Sequence, residues 1–328
     1  MSTVFAPLTS RDVEAVFTER LDDLGGEVPQ IVTELTRERR TDRGKESYQF
    51  VGTTPRLTKF IGTREGTKPR LYGFDHETEI YDAALEFTKD ELRRDRTGIL
   101  LDRTRELADD VPHHWYEYFT DLLEKGNVDG EYGVAFDTYP LFSANHVWGD
   151  SGAMSNSFNT ATNLNTVVTG GSIDNLTSDQ LRKIVMNAIS KMCDYRDDEG
   201  RPRINAGAKR FKCMFPKEFF AVAQEAFGNR LIATGGTNTI IEMNSSGWAI
   251  DFEINPWLSA SNVFFLFRTD TMKPAIGRII EEEAQLIDVA GGSEREKLQR
   301  KHIYIVESIH GMGYEFWPSA ARVQLAAA

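Results

Sequence analysis

Between Val13 and Leu21 the apolar residues Val13, Val16, Phe17 and Leu21 fall at helical spacing behind Thr9 or Ser10 as a cap, so the chain opens on an amphipathic helix. The charged run Glu38-Arg39-Arg40-Thr41-Asp42-Arg43 then reads as a solvated connection. Across residues 48–87 the period changes to that of a long hairpin. Its incoming arm, YQFVGTTPRLTKFIG, is made irregular by Gly52, Pro55 and Gly62, and its tip, TREGTKP, has turn chemistry. The outgoing arm alternates, with Phe74, His76, Thr78 and Ile80 on one side and Asp75, Glu77 and Glu79 on the other. A lone two-stranded ribbon is marginal in water, so its apolar face requires a cover that nothing adjacent in sequence supplies.

Helical spacing then returns. Thr88-Lys89-Asp90-Glu91 fits a capping box that starts a short helix, and Gly98 interrupts it. Leu100, Thr104, Leu107, Ala108, Val111, Trp115, Tyr118, Phe119 and Leu122 keep the helical period, with Gly126 as the stop. This predicts a helix of roughly 40 Å. Pro112 inside it predicts a kink or break, at about 3 kcal/mol against an ideal helix. Residues 127–172 form a long polar excursion, of a length that is usually functional or mobile. A helix capped by Thr177 or Ser178 follows, with Leu181, Ile184, Val185, Ala188, Ile189 and Met192 on one face. After the turn DDEGRPR, the alternation of Phe211, Cys213 and Phe215 marks a strand. Pro216 opens a helix closed by Gly228. Strands are expected at 248–254, at 262–268 and from Ile303 through SIHGMGYEFW, the last with a glycine-marked bend. The class is α+β, without βαβ units or internal repeats.

With 328 residues, 37.1 kDa, 40% hydrophobic and 27% charged residues, the chain suffices for one large or two modest domains with a real core. No run is long and apolar enough to cross a membrane. The start MSTVFAPLTSRDVEAVF is not a secretory signal, so the expected location is the cytoplasm in which the chain is made. Cys193 and Cys213 read as reduced, buried small hydrophobes. The net charge of −12 argues against gripping nucleic acid but allows a surface that faces it.

Candidate chemistry is sparse. The stretch GDSG, Gly149 to Gly152, resembles the nucleophile loop of trypsin-like proteases, with His113, His114 and His146 as bases in number only. A glycine-rich turn is the stronger reading, because an all-β barrel pair does not open with helices. The histidines His76, His113, His114, His146, His302 and His310 show no metal-ligand spacing, and Glu281-Glu282-Glu283 reads as a solvated face. No phosphate cradle is present, and no cofactor or metal is expected. Arg64, Lys68 and Arg70 make the hairpin tip basic, suited to an acidic neighbouring surface or to solubility alone. A long uncovered arm, polar loops and no catalytic constellation together point to an assembly protein rather than an enzyme.

The segments YQFVGTTPRLTKFIGTR, FDHETEIYDAALEFTKDEL, the long helix ending LLEKG, and YPLFSANHVWGDSGAMSN occur in an order that resembles the Mu-like phage major head subunit (gene-product-T) family. The later blocks FKCMF, PKEFFAVAQEAF and ESIHGMGYEFWPSAARVQL follow the order of tailed-phage capsid proteins, so the resemblance runs from about Tyr48 to Phe316. Phe50 and Phe60 stand where tryptophan is expected, Arg93-Arg94-Asp95 replaces a more acidic stretch, and His76 sits near an expected asparagine. The resemblance implies the Hong Kong 97-type fold. Residues 1–47 would form an N-terminal arm and helix, and 48–87 the extended loop. Residues 88–172 and 271–328 would form a peripheral domain with its spine helix, and 173–270 an axial domain. It further implies a structural subunit of an icosahedral virion shell, built from hexamers and pentamers in the host cytoplasm. Its partners would be scaffold or protease, portal and head-completion proteins, and DNA that is faced but not gripped. Phe60, Arg64, Lys68, Arg70, Tyr72 and Phe74 would make the inter-subunit contact. An encapsulin-like compartment and, remotely, a hydrolase using Ser151 are the alternatives.

Overall fold

The computed structural model describes residues 10–53, 59, 62, 68, 70–88, 90–91, 98–128, 132–231, 235–289 and 300–326. In chain order the helices are α1 (Ser10–Asp23), α2 (Gln30–Leu35), α3 (Ile99–Glu124), α4 (Ser178–Cys193), α5 (Phe220–Gly228) and α6 (Thr239–Ser245). The strands of the first half are β1 (Thr36–Arg40), β2 (Lys45–Val51), β3 (Leu71–Glu77), β4 (Glu79–Thr88), β5 (His146–Val147), β6 (Ala153–Met154) and β7 (Ser157–Asn159). Those of the second half are β8 (Arg210–Pro216), β9 (Ala249–Asn255), β10 (Val263–Arg268), β11 (Ile276–Asp288), β12 (Lys301–Tyr314) and β13 (Ala320–Gln324).

Two sheets organise these elements. One has the order β1-β11-β12-β4 and the other β7-β13-β10-β8-β9. On the first sheet, Phe87, Tyr304 and Val306 point to one face, where Val13 and Phe17 of α1 and Leu100, Leu107 and Ala108 of α3 bury them. Arg20 of α1 and Asp109 of α3 form an ion pair at 2.7 Å that fixes the two helices side by side. The far end of α3 enters the main core through Trp115, Phe119, Leu122 and Leu123. Its last carboxylate, Glu124, accepts hydrogen bonds from the Ser259 hydroxyl and backbone amide, tying α3 to the loop before β10. The apolar run in β10 is buried as a central strand, and α4 places its predicted face, Leu181 to Met192, wholly inside behind a reciprocal Thr177–Gln180 capping box.

Three expectations change. The Glu38–Arg43 run is not a solvated connection, because residues 36–40 form β1, parallel to β11. Its charges are tolerated because each finds an opposite partner: Arg39 with Glu315, Arg40 with Glu283, and Glu38 with Arg278. The long helix is unbroken across Pro112. Strand β12 pairs with β11 through Gly311-Met312-Gly313 up to Tyr314, with a register shift against β11 just before, at Ile309 and His310. The closing segment also divides. Lys301–Tyr314 belongs to the first sheet, whereas Ala320–Gln324 pairs with β10 and β7 in the second, so a boundary at residue 270 does not separate the sheets.

Candidate functional site

Strands β2 and β3 pair in register from Lys45–Glu77 to Val51–Leu71, forming the ribbon expected from the sequence. Its outgoing arm stops at Glu77, and after Thr78 the chain enters β4 as an edge strand of the first sheet. The inner face of the ribbon carries Tyr48, Phe50, Tyr72, Phe74 and His76. Phe50 lies edge-on to Phe136 at 5.2 Å and to Phe316 at 6.0 Å, and Tyr72 lies edge-on to Trp148 at 5.8 Å. Phe136 and Trp148 come from the polar excursion of residues 127–172, which therefore serves as the bed on which the ribbon lies. Burying such side chains stabilises by roughly 1.5–3 kcal/mol each, enough to hold a ribbon that would not persist alone.

At its sheet end the ribbon is fixed by a buried ion cluster. Arg39 binds Glu315 with two hydrogen bonds, at 3.0 and 2.8 Å, and stacks 4.2 Å over the Tyr48 ring. His76 Nε2 lies 3.2 Å from the same carboxylate. Burial pushes Glu315 up, but the hydrogen bonds from His76 and Arg39 and their charges outweigh it and hold the carboxyl below its usual range. At the other end the clamp is the GDSG loop together with the DDEG turn. Arg70 binds the Asp150 carboxylate at 2.9 Å and the Asp198 carbonyl at 3.3 Å, while the Thr53 amide donates to Asp198 Oδ1 at 3.1 Å. Gly149 has φ 57°, and a Cβ there would stand 2.5 Å from the Arg70 guanidinium and 2.6 Å from the Asp198 carbonyl, so this turn requires glycine.

The six expected contact residues thus separate. Phe74 is buried and Tyr72 half-buried against their own chain, and Arg70 is engaged with its own Asp150. Lys68 is exposed, and Phe60 and Arg64 lie outside the described residues. The premise that an isolated copy leaves its ribbon bare is corrected: from Lys45 to Thr53 and from Arg70 to Glu77 the parent body covers it. Between Thr53 and Arg70 most residues lie outside the described ones. There the sequence places Arg56, Lys59, Arg64 and Lys68 with Leu57, Phe60 and Ile61 and a single acidic residue, Glu65.

The outer face of the first sheet was not anticipated. Opposite the helices, aligned rows read Val289–Ile303–Glu86, Ile287–Ile305–Ala84, Gln285–Glu307–Asp82 and Glu282–Ile309–Ile80. Ile80 is 66% exposed, Val289 53% and Ile287 37%, and Glu86, Asp82, Glu307 and Glu282 supply the charge within these rows. The signal was present in KHIYIVESIH. Its alternate positions are apolar on both sides, which marks a strand covered on two faces, whereas among the described residues one face alone is covered.

The GDSG loop holds no hydrolytic arrangement. Ser151 Oγ accepts from the Trp148 amide at 2.9 Å and donates to the Gly152 carbonyl at 2.8 Å. His146 is turned to Asp137 through Nδ1 at 2.7 Å, and its Nε2 faces the Leu141 carbonyl and Asn156 Oδ1. Cys213 is buried and its thiol pushed up by desolvation.

Residues 9–169 match the family model of the Mu-like prophage major head subunit gpT. Over this stretch, just under half of its length, the chain resembles that family of head subunits. The fold is of the Hong Kong 97 type. It is similar to the capsid structure of the cyanophage P-SCSP1u, with a TM-score of 0.58 at 12% identity over 92% of this chain and 89% of that one. It is similar also to the capsid of an empty GTA particle (TM-score 0.55, 8% identity, 100% and 94% covered) and to the mature capsid of bacteriophage PhiM1 (TM-score 0.53, 8% identity, 90% and 87% covered). No curated protein matches the chain. The matched family is one of structural subunits.

Proposed function

We propose that this chain is the major capsid subunit of a phage head, a virion component that assembles into an icosahedral shell, and that it closes the shell by placing the ribbon tip, residues 53–69, on the outer sheet face of a sister molecule. The observation that carries this reading is complementarity. The tip combines Leu57, Phe60 and Ile61 with four basic residues, and the sheet face combines isoleucines with four acidic residues. Glu86 is already paired with Lys301 of its own chain, so Asp82, Glu282 and Glu307 carry the charge; apolar contact supplies the affinity, and opposite charge fixes register and suppresses wrong pairings. A tip and a receiving face on different parts of one molecule make a head-to-tail contact, which closes into rings when the rotation permits. Many modest contacts engaged together hold such a shell. Residues 88–172 with β11 and β12 then form the peripheral unit, and the second sheet with α4, α5 and α6 the axial one. The acidic balance suits an inner surface that faces packaged DNA without gripping it. Assembly in the host cytoplasm on a scaffold, around a portal, belongs to the same reading.

The test is charge reversal at the tip. With Lys59→Glu, Arg64→Glu and Lys68→Glu, or with residues 63–69 removed, the subunit keeps its melting temperature, since the clamp lies outside the changes, but sediments as unassembled protein. Shells forming at the normal yield would refute the tip as the joining element.

A further inference from the structure

Where α3 crosses the first sheet, two imidazoles meet. His114 Nε2 lies 3.1 Å from His310 Nε2, joining the middle of the long helix to β12. His310 is 1% exposed, stacked 4.0 Å from Trp115 and 4.5 Å from Tyr81, and its Nδ1 lies 3.1 Å from the Ser308 hydroxyl. With that hydroxyl donating to Nδ1, His310 carries its proton on Nε2 and donates it to the lone pair of His114. In this arrangement both rings are neutral. A proton added at His114 Nε2 sets two N–H groups face to face, and one added to His310 places a cation among aromatic rings.

We infer that the His114–His310 pair is an acid-sensitive latch between the long helix and the four-stranded sheet, closed when both rings are neutral and released by protonation. A cavity of about 180 Å³ adjoins the pair, giving released side chains room to move. The groups around it are Asp110 and Glu117 on α3, Glu79 and Asp82 on β4, and the phenols Tyr81 and Tyr118. Glu117 favours a charged His114, but burial outweighs it. Burial, and then the neighbouring His114, bring His310 down from 6.5 to about 3. Both shifts are downward, so the opened state binds protons first. The latch is at full strength above about pH 6.5 and weakens as pH falls toward about 3.

Amide hydrogen exchange on the full-length subunit tests this. After correction for intrinsic rates, the opening constant of amides around His114 rises by up to about tenfold per pH unit below about 6.5. Amides of α4, in the other core, serve as the reference and show a smaller change. The double variant His114→Gln, His310→Gln flattens the local response whatever its overall stability. An equal response in variant and wild type overturns the latch. So does a zinc-dependent gain of protection near pH 7 that His114→Gln removes, since the pair would then hold a metal. A direct check is the imidazole nitrogen NMR titration of the unaltered protein: both rings remain neutral below the ordinary histidine range, and titration of either near 6.5 sinks the proposal.

Discussion

A Cβ on Gly313 would stand 2.1 Å from His76 Nδ1, and one on Gly277 would stand 1.8 Å from Glu315 Oε1. These two glycines let the ribbon's ion cluster settle directly onto β11 and β12. In an ordinary strand, alanine would replace glycine with a gain of roughly 0.5–1 kcal/mol. Here the sign reverses: Gly313→Ala is expected to destabilise by about 1–3 kcal/mol, read as a lower urea midpoint at constant slope. A raised midpoint would show that the crossing is looser than described. The sequence displayed Gly311-Met312-Gly313 but not the reason for Gly313, because the atoms that need the space belong to His76, far away in the chain. The same distance hid Glu315, Asp150 and Asp198. Each is an unremarkable acidic residue until folding brings Arg39 or Arg70 to it.

Elements with strong periodicity were legible. The long helix and α4 were readable because each presents one continuous apolar face to a core, and their observed bounds, Ile99–Glu124 and Ser178–Cys193, follow that face. Strand β1 was not, because TRERR carries no apolar alternation and is stabilised by cross-strand ion pairs that exist only after folding. Pro112 marks the limit of a local rule. It lacks the amide that would reach the Ala108 carbonyl, yet the buried residues on either side keep the helix continuous. Pro112→Ala is therefore expected to raise subunit stability, by at most about 3 kcal/mol, in a thermal melt. A loss of stability would mean that the proline's shape, rather than its neighbours' packing, fits the helix to its site.

The whole molecule explains why the hairpin looked uncovered. Sequence neighbours do not cover it, but the polar excursion folds beneath it. What the sequence could not display is an interface shared by two copies. The basic tip was readable as a composition, whereas its counterpart is assembled from β4, β11 and β12, which are separated along the chain. Overall order was legible from the succession of hairpin, long helix, polar excursion and closing strands, and this carried the family resemblance. The most direct measurement is a reconstruction of the assembled shell that resolves side chains. The account predicts that residues 53–69 of each copy lie on Ile80, Ile287, Ile305 and Ile309 of a sister, with basic side chains against Asp82, Glu282 and Glu307. A tip resting on its own molecule, or a sheet face open to solvent in the closed shell, would contradict it.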